Sequence, residues 1–399
     1  MTLYWLISLP TRVNGNQRSG DKSMALSNLR TLVSEVDPTA GSELASLTLP
    51  ELKVGTLDSL VILSDELAKY DTTFEGILLK LVDTLRNNLK NGHGNNLGTL
   101  KDYLKINNRT VDDYLRSFQW NSMKYRTDKS LKEITTNIQT EVTNLDTQLK
   151  HKSTQYQTIR NSMVSYERRM TGNLSVRSLT EVVGPEHSIS GSEFLTSVFV
   201  AVPNNQVKEW ESSYETISTM VVPRSSIKIA EDSEFTLYSA VVFKKVAQEF
   251  SKGCRERKFV VRDFEYSEEK NEETKKEIER VTKLEVELWR GLLQWCQVTF
   301  GDAFSAWIHI KVLRAFTESV LRYGLPPDYV FSVIKPRNEG KLHKKLIEHY
   351  GYLAGSRGGV HDDDNNDSEF ASVPGVFDDQ NYSPYTHFAF NWNAEESQD

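Results

Sequence analysis

Between positions 131 and 166 the apolar residues Leu131, Ile134, Ile138, Val142, Leu145, Leu149, Tyr156, Ile159, Met163 and Tyr166 recur at heptad-like spacing, and polar or charged residues fill nearly every position between them. A stripe this narrow, kept up over about five heptads, faces one or two partner helices and is too thin to wrap a globular core. At about 1.5 Å per residue the helix runs roughly 50 Å. Its simplest partner is another helix of the same chain, and the pair then acts as a stiff spacer.

A matching return helix starts near Asn271 and continues through Val281, Leu284, Leu288, Leu292, Trp295, Phe304, Ile308 and Phe316 to the stop at Tyr323-Gly324-Leu325-Pro326-Pro327. Glycine supplies the C-cap there, and proline cannot continue a helix. Between the two helices the period changes. Strands are expected at 194–203, 220–223 with 227–230, 234–243 and 259–264, and helices at 206–217 and 244–255. The order β-α-β-β-α-β suits a split βαβ, ferredoxin-like sandwich inserted at the tip of a helical pair.

Outside this central part, Leu3 to Leu9 reads as a strand, 56–89 as a helix with a three-four-seven apolar period, and 111–124 as a second helix. After Pro327 come a strand at 329–334, a helix at 340–350, an acidic low-complexity stretch around 362–367 and a last strand near 386–392. Both chain ends fall on the same side of the long helices, so the two terminal segments are expected to form one discontinuous domain.

With 399 residues, 38% of them hydrophobic and 26% charged, the chain can build more than one core. A formal charge of -7 argues against broad nucleic-acid binding, which needs a dominant cationic face. Cys254 and Cys296 are the only cysteines and have no CxxC spacing, so neither a disulfide framework nor a zinc site is implied, and a reducing compartment fits. The first ten residues lack a basic flank and a cleavage pattern and read as a strand, not a signal peptide. No run reaches the roughly 18 apolar residues of a spanning helix, since even Phe304 to Leu313 contains His309 and Lys311. Membrane association is therefore expected through protein partners.

No catalytic, cofactor or metal site assembles from the residues. Gly355-Ser356-Arg357-Gly358-Gly359 lacks the phosphate-loop frame and reads as linker. His361 with Asp362 to Asp364 reads as a solvated acidic loop. His343 and His349 lie six apart, do not share a ligand face, and are expected at the surface. His309, among apolar neighbours, is expected to be a satisfied core histidine, and Trp289, Trp295 and Trp307 to be core.

Several runs point to one family. Ala306-Trp307-Ile308-His309-Ile310-Lys311 and Glu318-Ser319-Val320-Leu321-Arg322-Tyr323-Gly324-Leu325-Pro326 resemble the C subunit of vacuolar-type proton-pumping ATPases. So do Pro50 to Asp58, Ser64 to Lys69, Tyr214-Glu215-Thr216, Met220 to Ser226 and Lys258 to Phe264, and the likeness covers most of positions 3 to 352. After Tyr352 the Gly/Asp-rich insertion departs from the family pattern, although Tyr382-Ser383-Pro384-Tyr385 resembles its closing segment.

The resemblance implies an α+β, predominantly helical protein, an elongated dumbbell with a discontinuous foot domain, a long helical neck and a small α/β head. On this sequence that places the foot at 1–128 and 291–399, with a disordered acidic loop near 354–380, the neck helices at 129–170 and 265–290, and the head at 171–264. It further implies a non-catalytic regulatory and structural component of the pump on the cytosolic face of vacuolar and other endomembranes. Its implied partners are the E and G stalk subunits at the head and, at the foot, a second stalk plus the cytosolic N-terminal domain of the membrane sector's a subunit. Actin filaments are a further candidate. Release of such a protein accompanies separation of the soluble sector from the membrane sector. Arg177, Arg224, Glu231 and Asp232 lie in matching head segments beside expected strand ends and are the candidate partner-binding residues. The alternative open at this point is a helical scaffold that binds membrane or cytoskeleton, which would want a basic face that the acidic balance disfavours. A nucleotide hydrolase is opposed by the missing phosphate-binding motif.

Overall fold

The computed structural model describes residues 2–11, 22–90, 99–180, 182–189, 191–353 and 383–392. The Gly/Asp-rich insertion, the polar stretches 12–20 and 91–96, and His361 with its acidic neighbours lie outside the described residues. In chain order the elements are β1 (Thr2–Pro10), α1 (Lys22–Val36), α2 (Pro38–Glu43), β2 (Ala45–Leu47), α3 (Leu57–Lys90), α4 (Leu100–Tyr103), α5 (Val111–Arg116) and α6 (Leu131–Thr171). They continue with β3 (Leu195–Pro203), α7 (Val207–Ser213), β4 (Ile227–Glu231), β5 (Phe235–Phe243), α8 (Ala247–Glu256) and β6 (Val260–Arg262). The remainder is α9 (Glu268–Tyr323), β7 (Tyr329–Ile334), α10 (Glu339–Tyr350) and β8 (Thr386–Trp392). The described residues are mostly helical, with two four-stranded antiparallel sheets.

The chain divides into two compact units, one of residues Met1–Ser153 and Gly291–Asp399 and the other of residues Thr154–Arg290. In the first, the sheet order is β2-β7-β1-β8, so β1 pairs on one side with β7 and on the other with β8. Being central and covered on both faces, β1 reads as an almost unbroken apolar run instead of alternating. Trp5, Ile7 and Leu9 point into a core with Leu29 and Val33 of α1 and Leu342 and Leu346 of α10. Ser8, on the opposite face, meets α9: the Ser319 hydroxyl donates to its Oγ at 2.7 Å and Tyr323 OH to its carbonyl at 3.2 Å.

The apolar period of α3 is buried as its spacing predicts, from Leu60, Leu63 and Leu67 through Phe74 to Leu85. The helix expected at 111–124 is shorter. It ends at Arg116, because Phe118, Trp120 and Tyr125 all turn inward around His309, which no single helical face at those spacings achieves. The Trp120 indole N–H closes that turn on the Tyr125 carbonyl at 2.9 Å. At the end of α9 the stop works as expected: Gly324 takes φ +80° and its N–H donates to the Val320 carbonyl at 2.9 Å.

In the second unit the sheet order is β4-β5-β3-β6, antiparallel throughout. β3 and β4 run parallel with β5 between them, and β5 and β6 run parallel with β3 between them. These are two interleaved split βαβ units, as the element order suggested. Val198, Val200 and Val202 of β3 face Trp210 of α7 and Phe250 and Cys254 of α8, while Phe199 and Ala201 on the other face pack on Leu174, Leu179 and Val183. The strand expected at 220–223 is reduced to one bridge, Val221 to Val242, because Met220 at φ 64° and Arg224 at φ 55° interrupt the extended backbone.

Within this unit the stripe of α6 meets α9, as expected of a helix pair in one chain. Tyr156 OH donates to buried Glu285 Oε1 at 3.1 Å, and Arg160 Nη1 donates to the same phenol oxygen at 3.2 Å. Tyr156→Phe removes a donor to a carboxylate that is 2% exposed, so a loss of about 1–3 kcal/mol is expected. Urea unfolding followed by tryptophan fluorescence checks it, and a midpoint unchanged from the parent chain would show that the phenol is dispensable.

Candidate interaction site

Asp232 sits in the turn between β4 and β5, where its carboxylate gathers backbone donors. Oδ2 accepts from Leu174 N at 2.6 Å, and Oδ1 accepts from Glu234 N at 2.8 Å and Phe235 N at 2.6 Å. Burial opposes its charge, but these donors, aided by the charge of Arg177, outweigh that and hold the carboxyl below its ordinary range. Asp232 therefore ties the segment following α6 to the sheet.

Asn173 and Asn204 extend the same corner. The Asn173 amide donates to Glu234 Oε2 at 2.7 Å, and Asn204 Nδ2 donates to the Asp232 carbonyl at 2.9 Å. Arg262 completes it by donating to the carbonyls of Leu174, Val176 and Arg177 at 3.1, 3.2 and 2.7 Å. Sequence reasoning did not single out Arg262, and its only signal was its place in the family-like run 258–264.

Arg177 and Asp232 thus share one corner, with Glu231 next in the chain. The Glu231 side chain is exposed and forms an i,i+3 ion pair with Lys228 at 2.5 Å. Arg224 is not brought into this group. Its backbone N–H donates to Glu215 Oε1 at 2.8 Å, an oxygen that also accepts from Tyr214 OH at 2.9 Å, and its side chain is exposed.

Asp232→Ala leaves three backbone donors without their acceptor, and an expected loss of about 1–2 kcal/mol follows. Because the folded-state pKa is lowered, this contribution is present above the unfolded-state value and fades as pH falls below it. Denaturation of the variant at pH 7 and pH 3 checks both points: the gap from the parent chain narrows at pH 3, and a constant gap would contradict the assignment.

The other flagged residues have structural places. His309 is 1% exposed. Its Nε2 accepts from Asn121 N at 3.1 Å, its Nδ1 lies 2.7 Å from the Ser305 carbonyl, and burial pushes its pKa down to about 4. Cys254 and Cys296 are both buried, and desolvation raises their thiols to about 12, so neither is a nucleophile. His349 is exposed, but His343 is not the surface residue expected: its Nδ1 lies 3.0 Å from Tyr385 OH, and its ring lies edge-on to Trp5. The cause is β8, which closes over α10 from a distant part of the chain. Trp289 and Trp307 are core, whereas Trp295 is half-buried, with Lys152 Nζ 5.9 Å from its ring centroid. No group of three or more metal-ligating side chains occurs among the described residues.

Comparison with known proteins decides the relationship. The family model for the C subunit of the V-ATPase matches residues 4–386. The chain belongs to the V-ATPase C-subunit family. Relatives named as the C subunit of a V-type proton ATPase include one from Caenorhabditis briggsae, 38% identical over 97% of this chain and 96% of its own length. One from Saccharomyces cerevisiae is 36% identical over 97% of both chains. The C 1-B form from Danio rerio is 37% identical over 99% of this chain and 100% of its own.

Proposed function

We propose that this chain is the non-catalytic connector of a vacuolar-type proton pump, bridging the peripheral stalks of the soluble sector to the membrane sector and controlling their reversible assembly. The single observation that carries this reading is the near full-length match to C subunits of V-type proton ATPases. Two separately cored units support it, since a connector needs two surfaces. In this reading the α/β part of the second unit grips a stalk made of the E and G subunits, with Arg177, Arg224, Glu231 and Asp232 near the contact. The first unit, built from both chain ends, meets a second stalk and the cytosolic N-terminal part of the membrane sector's a subunit, and actin filaments are a further candidate partner. The protein then works at the cytosolic face of vacuolar and other endomembranes, and no helix among the described residues is long and apolar enough to cross a membrane.

Two modest contacts on one body hold strongly together, and losing either weakens the whole by orders of magnitude. That is the physical basis of switchable release. Co-purification with isolated E and G subunits tests it, comparing the full chain with a variant lacking residues 174–264. The full chain is expected to be retained and the variant lost. Equal retention would place the stalk contact elsewhere, and appreciable ATP hydrolysis by the purified chain alone would overturn the connector reading.

A further inference from the structure

Beside the β6 edge of the second unit lies a basin of about 670 Å³, floored by the ends of β3 and β6 and walled by α8 and the chain leading into β3. The side chains of Lys244, Lys252 and Arg255 line it, and none of them has a hydrogen-bond or ion-pair partner among the described residues. Lys252 and Arg255 lie on α8 and Lys244 in the turn just before it, at spacings of eight and three that bring all three toward one side. Arg262 also borders the basin, but it shares the Phe199 face of the sheet, opposite α8, and its guanidinium is held there by three backbone carbonyls.

With the Arg262 guanidinium turned away, three cations stand in the lining against two acids, Asp263 and Glu265. The Ser188 and Thr196 hydroxyls also line the basin and have no partner among the described residues. A net positive concavity in a chain of formal charge -7 concentrates anions locally. Three unpaired cations along one wall with free hydroxyls beside them fit a compact ligand bearing several anionic groups on a hydroxylated frame, better than a single anion or an apolar molecule.

We propose that this basin is a binding site for a soluble polyphosphorylated polyol, with Lys252 and Arg255 as its principal anion contacts. The full chain titrated calorimetrically with inositol hexakisphosphate is expected to bind at one site, more weakly as salt rises from about 50 to about 300 mM. Lys252→Gln with Arg255→Gln is expected to weaken binding by about tenfold for each lost charge-assisted contact. Both side chains are exposed, so the thermal midpoint of the double variant should match the parent. Lys132→Gln with Lys150→Gln, on exposed positions of α6, controls for net charge and should bind as the parent does. No binding by the parent, or equal weakening in both double variants, would overturn the proposal. Flotation with vesicles containing phosphatidylinositol 4,5-bisphosphate separates the lipid source: capture that excess inositol hexakisphosphate does not displace would also overturn it. The E and G co-purification above is independent of this result.

Discussion

Asp71→Ala is expected to lower the unfolding free energy of the first unit by about 3–5 kcal/mol, the largest single-residue effect argued for this chain. Asp71 lies on α3, 6% exposed, and its carboxylate meets three donors from α9. Oδ1 accepts from the Trp307 indole at 2.8 Å and pairs with Lys311 Nζ at 2.8 Å, and Oδ2 pairs with Arg314 Nη1 at 3.0 Å. Lys311 is 4% exposed, and its ammonium also lies over the rings of Trp307 and Phe390, 4.3 and 4.9 Å from their centroids. Burial already lowers its pKa despite the Asp71 charge, so without that charge the ammonium is stranded.

Removing one member of a buried pair is costly when it leaves the partner charge buried and uncompensated, and less so when another counter-charge remains. Lys311→Met, which leaves Arg314 on Asp71, is therefore expected to cost less than Asp71→Ala. Asp71→Asn, which keeps an oxygen for the indole, should fall between them. Guanidinium unfolding of the three variants provides the ranking. If Lys311→Met is as damaging as Asp71→Ala, packing and not the stranded charge is the cause.

Acidification from pH 7 to pH 5 is expected to cost the first unit about 3–4 kcal/mol through two histidines. His309 and His387 both have pKa values lowered by burial from 6.5 to about 4, His387 with a further contribution from the charge of His343. Around His309 stand the rings of Phe118, Trp120 and Tyr125 and the charge of Lys124. Around His387 stand Trp5, Tyr385 and His343. Between pH 6.5 and about 4 the unfolded chain binds a proton at each position and the folded chain does not, so stability falls as pH falls. Asp37 and Asp112, with pKa values lowered below 3.8, lose their contribution only at more acid pH, outside this interval. His387→Phe should remove about half of the decline between pH 7 and pH 5. A decline unchanged by the substitution would assign it to other groups.

Much of the fold was legible because it rests on local periodicity. The α6 stripe, the α9 stop at Gly324 and Pro326, the strands at 329–334 and 386–392, and the β-α-β-β-α-β order are each written in a short window. The failures have a common cause. The chain leaves helical geometry after Arg116 so that three aromatic side chains can surround a histidine almost 190 positions away. His343 is covered by a strand that arrives from beyond the Gly/Asp-rich insertion.

The candidate site divides the same way. Family-like runs marked Arg177, Arg224, Glu231 and Asp232, but only the fold shows that Asp232 collects three backbone donors while Arg224 sits apart beside Glu215. Lys311 stood out in sequence as a charge within an apolar run, yet nothing local named its partner 240 positions earlier. Sequence alone determined the paired long helices, the inserted α/β element and the family, because spacing and residue identity are properties of the chain. Tertiary structure alone decided which buried charges are paired and which surface cations are left unpaired, because both depend on segments that meet only after folding.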